Sequence, residues 1–360
     1  MIAQCWLHIG IEHTGSTTIQ TFLARNRDRL LSQGFLYPKA PGETNHLGLT
    51  AYCLNDLKID DVRLICGINR PEAVPPYRKK LMAALTQEVA GSNASAIVLS
   101  NEHLSTRLRK PREFERLKNI CREISSNTKV LVYIRNQVDL VASEYSTNVK
   151  AGGTRAFSFP PKDGNLLHLA DYAKFLEPWC EMFGRENVIV RRFEAGDFPN
   201  GDLVADFAAQ LGLDTGAFET VPRLNPSLPA ASIAFLREFN KSVPRIVDGQ
   251  INPLRRLLVN ILQNYRAGER LLLPPEYATA IAERYRESNE KVSADFFGGR
   301  FSPLFSAASA VGAAGTSLND TIDTADAIAL AAHLWTEQQQ KIRKMEERFK
   351  KRRARRKADA

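Results

Sequence analysis

The chain has 360 residues, 44% of them hydrophobic, which is enough to bury the core of one large domain or two small ones. Its formal net charge of +9 lies at one end, because segment 341–357 contains eleven Lys or Arg and two Glu, while the rest is close to neutral. Basic charge confined to a tail does not indicate a dedicated nucleic-acid-binding protein, and no apolar run of about 18 residues or more predicts a membrane-spanning helix.

The cysteines and histidines indicate neither a disulfide framework nor a metal centre. The five cysteines form no C-x-x-C pair, and the six histidines are scattered without an H-E-x-x-H sequence. The first residues lack the basic segment of a signal peptide. We therefore expect free thiols, no bound metal and a cytoplasmic protein.

Strands and helices alternate along the first two thirds of the chain. A short apolar run at 4–9 predicts a buried strand, and helical periodicity follows it as far as Gly34. Three more buried strands are predicted after helices that begin near Pro75, at Pro111 and at Leu169; these strands are 96–100, 129–134 and 187–193. The alternation predicts an α/β fold with a parallel sheet flanked by helices.

The last third of the chain is predicted to be helical. The best helix candidates are 228–241, 254–265, 275–292 and 324–349, and the segment 306–317 is rich in Ala, Gly and Ser. That composition is typical of a flexible linker. The helical C-terminal part therefore ends in a basic tail.

Ligands of parallel α/β sheets bind beyond the carboxyl ends of the strands, so the polar residues that follow each strand are candidates for a site. After the first strand comes the loop in HIGIEHTGSTTIQ, residues 8–20, which is almost a P-loop of the form G-x-x-x-x-G-K-[ST]. Gly10 and Gly15 would let backbone N–H groups approach an anion at a helix N-terminus, but Ser16 occupies the lysine position. The alternative interpretation is a capped helix N-terminus after a tight turn.

The residues after the third predicted strand make the pattern specific. Arg135 closes that strand, and Ser143 follows eight residues later on the next helix. Here the sequence resembles the PAPS-dependent sulfotransferases, whose 3′-phosphate site uses an arginine and a serine at this spacing. Their bacterial carbohydrate-type branch is also similar at HIGIEHTGSTTIQ, NRDRLLSQGFLYP, LSNEHLS, NVIVRRFE, LNPSLP and SNEKVSADFFG, which together span residues 7–305.

The resemblance implies a P-loop NTPase-like sulfotransferase fold and PAPS as the sulfonate donor, with no metal. It implies a sulfotransferase domain over 1–305, followed by a linker over 306–321 and a helical basic tail over 322–360. Arg135 and Ser143 would hold the 3′-phosphate of the donor. The 5′-phosphosulfate would be held by five consecutive residues, Thr14, Gly15, Ser16, Thr17 and Thr18.

One position departs from the family. The loop lysine that supports the bridging oxygen of the donor falls on His13. A protonated imidazole can donate a hydrogen bond there, and its charge at neutral pH depends on its surroundings. A histidine variant that works best in mild acid, a changed donor and a fold without activity all stay open; we favour retained activity.

An attacking hydroxyl needs a general base, and Glu102 and His103 follow the second predicted strand. Strand alternation would direct only one of the two into the site, and we expect this to be Glu102. The alternative places Glu102 at a helix N-terminus, against the helix dipole. Arg191 or Arg192 at the fourth strand could add positive charge, although an exposed strand-end arginine is the simpler interpretation.

These residues favour transfer of a sulfonate from PAPS to a hydroxyl of a saccharide or glycolipid. A nucleotide-dependent kinase or other phosphotransferase is the alternative enzyme, and a non-catalytic anion-binding interaction protein is the alternative from another class. Asn225 and Ser227 are further candidates beside the donor, or else part of a proline-bounded turn. The basic tail could contact an anionic membrane, peripherally at the inner face, or another polyanion, or it could be a solvated terminus.

Overall fold

A parallel β-sheet is formed by the apolar runs that the sequence predicts as strands. The structure is a computed structural model and describes residues 1–160, 164–216, 218–221, 228–247, 250–265, 270–312 and 322–358. Within these residues the sheet has five strands in the order β2-β3-β1-β4-β5, each parallel to its neighbours. The strands are β1 Ile2–His8, β2 Phe35–Leu36, β3 Ala96–Ser100, β4 Ser125–Ile134 and β5 Val188–Arg192.

The sheet register brings the carboxyl ends of the central strands to one edge. In β1, His8 is paired with Ser100 of β3 on one side and with Leu131 of β4 on the other. The loop after β1, the residues after β3 and Arg135 after β4 therefore leave the sheet at the same edge. This confirms the predicted fold class, a parallel sheet flanked by helices.

Helices cover both faces of this sheet. Counted over all the described residues, whether or not they contact the sheet, the helices are α1 Ser16–Arg25, α2 Arg27–Ser32, α3 Leu47–Cys53, α4 Asp61–Ile65, α5 Val74–Ala90, α6 His103–Arg107, α7 Pro111–Ile124, α8 Gln137–Lys150, α9 Gly164–Ala170, α10 Tyr172–Phe183, α11 Leu203–Leu211, α12 Ala230–Ser242, α13 Pro253–Asn264, α14 Pro275–Phe297 and α15 Thr324–Ala358. One face buries aromatic and aliphatic side chains of β1 and β4 with those of α1 and α11, among them Trp6, Phe22, Tyr133 and Phe207. Helices α7 and α10 contact β4, and Phe114 of α7 meets Trp179 of α10 edge to face at 5.0 Å. Parallel strands that are buried on both faces have continuous apolar sequences. Most of the strands could therefore be predicted from the sequence.

Two predicted helices are each divided in the structure. The helix after the first loop breaks at Asn26, whose side-chain amide donates to the carbonyl of Phe22 (2.9 Å). The helix predicted over 169–183 starts again at Asp171, whose carboxylate accepts from the N–H of Lys174 (3.4 Å). Asn and Asp side chains compete with the backbone for hydrogen bonds, so they favour helix ends over helix interiors.

The chain forms two compact units. The first consists of Met1–Leu140, Pro160–Leu224 and Ala280–Ala308, and it contains the sheet. The second consists of Val141–Phe159, Asn225–Thr279 and Ser309–Ala360. Of the predicted linker, residues 313–321 lie outside the described residues, so the boundaries at 305 and 321 stay predictions.

The second unit has a core of its own. Leu236 of α12, Leu262 of α13 and Leu330 of α15 are buried together with Val149 at the end of α8. The buried guanidinium of Arg255 donates to the carbonyls of Val149 (3.0 Å) and Lys150 (2.7 Å), which satisfies the C-terminus of that helix. A two-stranded antiparallel ribbon, β6 Ile246–Val247 and β7 Gln250–Ile251, completes the described part of the unit.

Two buried histidines in the first unit predict acid sensitivity. Burial lowers the pKa of His8 and of His46 to about 3, from the ordinary 6.5, because neither site can solvate a charged ring. The unfolded chain therefore binds protons that the folded chain does not, so stability is full above about pH 6.5 and falls as the pH drops toward 3. As the pH falls from 7 to 5, we expect each histidine to lower the free energy of unfolding by about 2 kcal/mol.

Guanidinium unfolding at pH 7 and pH 5 measures this difference. The ring of His8 packs edge-on against Tyr133 and Phe207, so His8→Phe keeps an aromatic ring in the same place. That variant should lose about half of the pH dependence attributed to the two histidines. An unchanged difference between the two pH values in His8→Phe would contradict the assignment.

Candidate active site

The loop between β1 and α1 is built on left-handed backbone. Gly10 (φ 46°), His13 (φ 70°) and Gly15 (φ 78°) all have positive φ within six residues. A Cβ at Gly10 would lie 2.5 Å from Ser16 Oγ, and one at Gly15 would lie 2.2 Å from Leu203 Cδ2, so both positions require glycine. Loops of this kind form a concave nest of N–H groups that favours an anion.

The start of α1 has the features of an anion cradle. Gly15 is the N-cap residue, so it has no side chain with which to cap the helix. The hydroxyl of Ser16 points into this region; the residue is 5% exposed and its Oγ has no hydrogen-bond partner among the described residues. A buried polar atom without a partner is costly, and a bound anion would satisfy it.

The three threonines of the predicted phosphosulfate loop are placed differently. Thr14 is fully buried and its hydroxyl donates to the carbonyl of Ile11 (2.6 Å), so it closes the turn of the loop. Thr17 is exposed in the first turn of α1, and Thr18 is buried beside it. Of the hydroxyls in this loop, the one on Ser16 is best placed to meet a ligand.

Glu102 lies directly beside this loop. The Cβ of Glu102 is 3.2 Å from the point where a Cβ on Gly10 would stand, so Gly10 lies between Glu102 and Ser16. The carboxylate accepts hydrogen bonds from the side-chain amides of Gln20 (2.6 Å) and Asn45 (2.9 and 3.0 Å). It does not cap α6, although Glu102 is the N-cap residue of that helix. The carboxylate is thus held in place by amide donors, which gives it the fixed position that a general base needs.

A chain of buried polar side chains supports Asn45. The Thr50 hydroxyl donates to Asn101 Oδ1 (2.5 Å), and the Asn101 amide donates in turn to Asn45 Oδ1. Every donor in this chain points toward Glu102, and both Thr50 and Asn101 are fully buried. Such a network fixes the orientation of its last member, so the Glu102 carboxylate is oriented before any substrate binds.

Strand alternation does not separate His103 from Glu102, because both residues follow the end of β3; which of the two is the base stays a prediction. His103 Nε2 is 4.0 Å from Glu102 Oε1, and His103 Nδ1 is 3.5 Å from Glu12 Oε1. The strand ends at Ser100, and Glu102 already has helical backbone angles (φ −72°, ψ −24°). In a helix, consecutive side chains are about 100° apart rather than on opposite faces.

Arg135 joins the end of β4 to the loop. Its Nη1 donates to the carbonyl of His13 (3.1 Å), and its guanidinium lies 5.7 Å from the centre of the Phe193 ring. Tyr172 fixes the backbone of Arg135, since its hydroxyl accepts from the Arg135 N–H (3.2 Å) and donates to the Arg135 carbonyl (2.5 Å). The structure therefore brings Arg135, His13 and the loop together.

The remaining predicted residues are two arginines of β5 and three residues whose place in the site stays a prediction. Ser143 lies on α8 in the second unit, and its pairing with Arg135 stays a prediction, while Asn225 and Ser227 lie outside the described residues. Arg191 donates to both carboxylate oxygens of the buried Asp206, and Arg192 is buried with Asp197. Both arginines are therefore structural ion-pair partners, neither free cations for the site nor exposed strand ends.

Gln20 and Asn45 were not identified from the sequence. Gln20 is 2% exposed on the apolar face of α1, and a polar residue in such a stripe is a signal that could have found it. Asn45 stands in a loop with no local signal, and it reaches Glu102 across 57 positions of the chain.

The comparisons with known proteins show no family for this chain. No family model matches the sequence. An "Uncharacterized protein" of Archaeoglobus fulgidus is 28% identical over 208 residues, which are 56% of this chain and 54% of that protein, so the chain spans about half the length of the relative it matches. The "Crystal Structure of Sulfotransferase from Alicyclobacillus acidocaldarius" aligns over 78% of this chain and 94% of that one, with a TM-score of 0.38 and 15% identity. Similarity this low carries no argument about activity.

Proposed function

We propose that this protein is a sulfotransferase that moves a sulfonate group from PAPS to a hydroxyl of a saccharide or glycolipid. The observation that carries the proposal is the juxtaposition at Gly10. An anion cradle with an unpartnered buried Ser16 hydroxyl lies on one side, and a carboxylate held by two amides lies on the other. A donor anion and a general base are the two parts that transfer to a hydroxyl requires.

The residues present fit such a donor. The nest at residues 10–15, the N-terminus of α1 and the Ser16 hydroxyl suit a phosphate without a lysine or a metal ion in the loop. Arg135 supplies a guanidinium at the same edge, where it would hold a second phosphate group. PAPS, when bound, would supply the sulfonate and a leaving phosphate.

Different residues of the chain would accept the proton, stabilise the leaving oxygen and position the base. Glu102 takes the proton of the acceptor hydroxyl as that oxygen forms its bond to sulfur and the bond between sulfur and the phosphate oxygen breaks. The loop N–H groups and His13 stabilise the charge that develops on the departing oxygen. Gln20 and Asn45 hold the base, so little reorganisation is needed at the moment of transfer.

A phosphotransferase is the competing function, because the loop is close to a P-loop. Ser16 occupies the position of the lysine that contacts the β- and γ-phosphates in such enzymes. Within the described residues, β4 is followed by Arg135 and β5 by Phe193, so neither strand end offers a carboxylate for Mg²⁺. Direct binding separates the two functions.

Calorimetric titration with adenosine 3′,5′-bisphosphate, and in parallel with ATP–Mg²⁺, is the test. We expect the bisphosphate to bind and ATP–Mg²⁺ not to bind. Arg135→Ala should weaken bisphosphate binding by roughly 10- to 100-fold, because a charge-assisted hydrogen bond to phosphate is lost. Arg286→Ala is the matched control, since Arg286 is exposed on α14 and paired with Glu283 and Glu290.

Other outcomes would decide against the proposal. Binding of ATP–Mg²⁺ alone would favour phosphoryl transfer. Failure of both ligands to bind a folded protein would favour a non-catalytic interaction protein. Equal bisphosphate affinity in Arg135→Ala and the wild type would remove Arg135 from the site.

A further inference from the structure

Helix α15 presents two opposite faces in the second unit. It spans 35 residues, and its inner face packs through Leu330, which is 1% exposed, and the partly buried Leu334. The ring of His333 lies 4.9 Å from that of Tyr265 on the same side. The exposed apolar side chains of this helix lie on the other face.

A stripe of large apolar side chains runs along the outer face. Ile328 (64% exposed), Trp335 (69%) and Ile342 (40%) are each seven residues apart, and Met345 (53%) lies one turn beyond Ile342. Seven residues make almost two full helical turns, so Ile328, Trp335 and Ile342 share one face over about 20 Å, and Met345 lies beside them. Their size and exposure distinguish the stripe from the scattered apolar residues that are normal on a protein surface.

The charge next to the stripe indicates what covers it. Helix residues 341–348 are all exposed, and Lys341, Arg343, Lys344 and Arg348 lie among them. The same helix continues through the most basic part of the chain, so eleven Lys or Arg fall between 341 and 357. A parallel pair of these helices would set like charges side by side, whereas an anionic surface would neutralise them.

We propose that the outer face of α15 docks on an anionic lipid surface, with Ile328, Trp335, Ile342 and Met345 entering the interface and the basic end meeting the head groups. A helix with a narrow apolar stripe and a strongly basic polar region lies along a membrane surface rather than across it. Among the described helices none is long and apolar enough to cross a bilayer. This surface is independent of the proposed transfer reaction.

Vesicle binding of the full chain tests the proposal. Vesicles of phosphatidylcholine and phosphatidylglycerol in equal parts should co-sediment with the protein, and vesicles of phosphatidylcholine alone should bind at least about tenfold more weakly. Trp335 is the exposed tryptophan, whereas Trp6 and Trp179 are buried (9% and 1% exposed), so a blue shift of the emission on binding reports Trp335. Binding should weaken further as the salt concentration rises.

Substitution of the stripe provides the decisive comparison. The triple variant Ile328→Ser, Trp335→Ser, Ile342→Ser should bind the anionic vesicles roughly 100-fold more weakly in co-sedimentation. The matched control, Leu57→Ser, Leu64→Ser, Ile65→Ser, removes three exposed apolar side chains from the first unit (80%, 56% and 71% exposed) and should bind like the wild type. Circular dichroism checks that both variants keep their helices.

Three results would overturn the proposal. The first is equal vesicle binding by the triple variant and the wild type. The second is that the wild-type protein binds neither vesicle type, or that it binds both types equally. The third is lipid-free self-association in analytical ultracentrifugation that the triple variant loses, because the occupant of the stripe would then be a second copy of this chain.

Discussion

Replacing Glu102 with glutamine is expected to lower kcat for sulfonate transfer by roughly 100- to 10,000-fold, the usual contribution of a general base. Glutamine has nearly the same shape and can still accept the hydrogen bond from Gln20, so the loop should keep its structure. Binding of adenosine 3′,5′-bisphosphate should therefore stay within about twofold of the wild type, because the base acts on the acceptor proton and not on the donor. Release of the bisphosphate from PAPS, measured with a panel of saccharides and glycolipids as acceptors, gives the rate.

Glu43→Gln is the matched control for this experiment. It makes the same change of charge two residues from Asn45, but the Glu43 side chain is exposed. It should leave the rate unchanged. His103→Asn is measured in parallel, because His103 Nε2 lies 4.0 Å from Glu102 Oε1. A large loss in His103→Asn together with a near-normal rate in Glu102→Gln would make the histidine the base.

Replacing Arg63 with methionine is expected to cost about 3–5 kcal/mol of unfolding free energy. Arg63 is fully buried, and its guanidinium donates to five backbone carbonyls, one in the last turn of α3 and four between α3 and α4. The acceptors and distances are Ala51 O (3.1 Å), Leu54 O (2.8 Å), Asn55 O (2.6 Å), Asp56 O (3.2 Å) and Lys58 O (2.6 Å). Methionine fills part of the volume but donates no hydrogen bond, so these buried carbonyls would lose their partner.

Guanidinium unfolding followed by circular dichroism measures this loss. Arg70→Met is the matched control, since Arg70 is exposed and lies seven residues further along the chain. The control should unfold within about 0.5 kcal/mol of the wild type. A loss below about 1 kcal/mol in Arg63→Met would show that water reaches the carbonyls and replaces the guanidinium.

The strands and the edge at which they end could be predicted from the sequence, but the shorter and interrupted elements could not. Segment 96–100 is apolar as far as Leu99 and forms β3 with those bounds. Strand β2 has only two residues, Phe35–Leu36, and it exists because it pairs with β3. No local pattern marks so short a strand, since its stability comes from its neighbour.

The candidate site divides in the same way. The residue types at His13, Ser16, Glu102 and Arg135 could be identified from the sequence, because a glycine loop and polar residues after buried strands have a local pattern. That His103 lies beside Glu102 depends on where β3 gives way to helix, which local alternation does not reveal.

By itself, the sequence determined which chemical groups stand at the ends of the strands, because burial on both faces of a parallel sheet leaves a continuous apolar pattern. Only the tertiary structure decided that the Ser16 hydroxyl is buried without a partner and that Gln20 and Asn45 hold the carboxylate of Glu102. The physical reason is separation along the chain. Contacts across 82 and 57 positions depend on how distant segments pack, and hydrogen bonds between such segments leave no periodicity in either one.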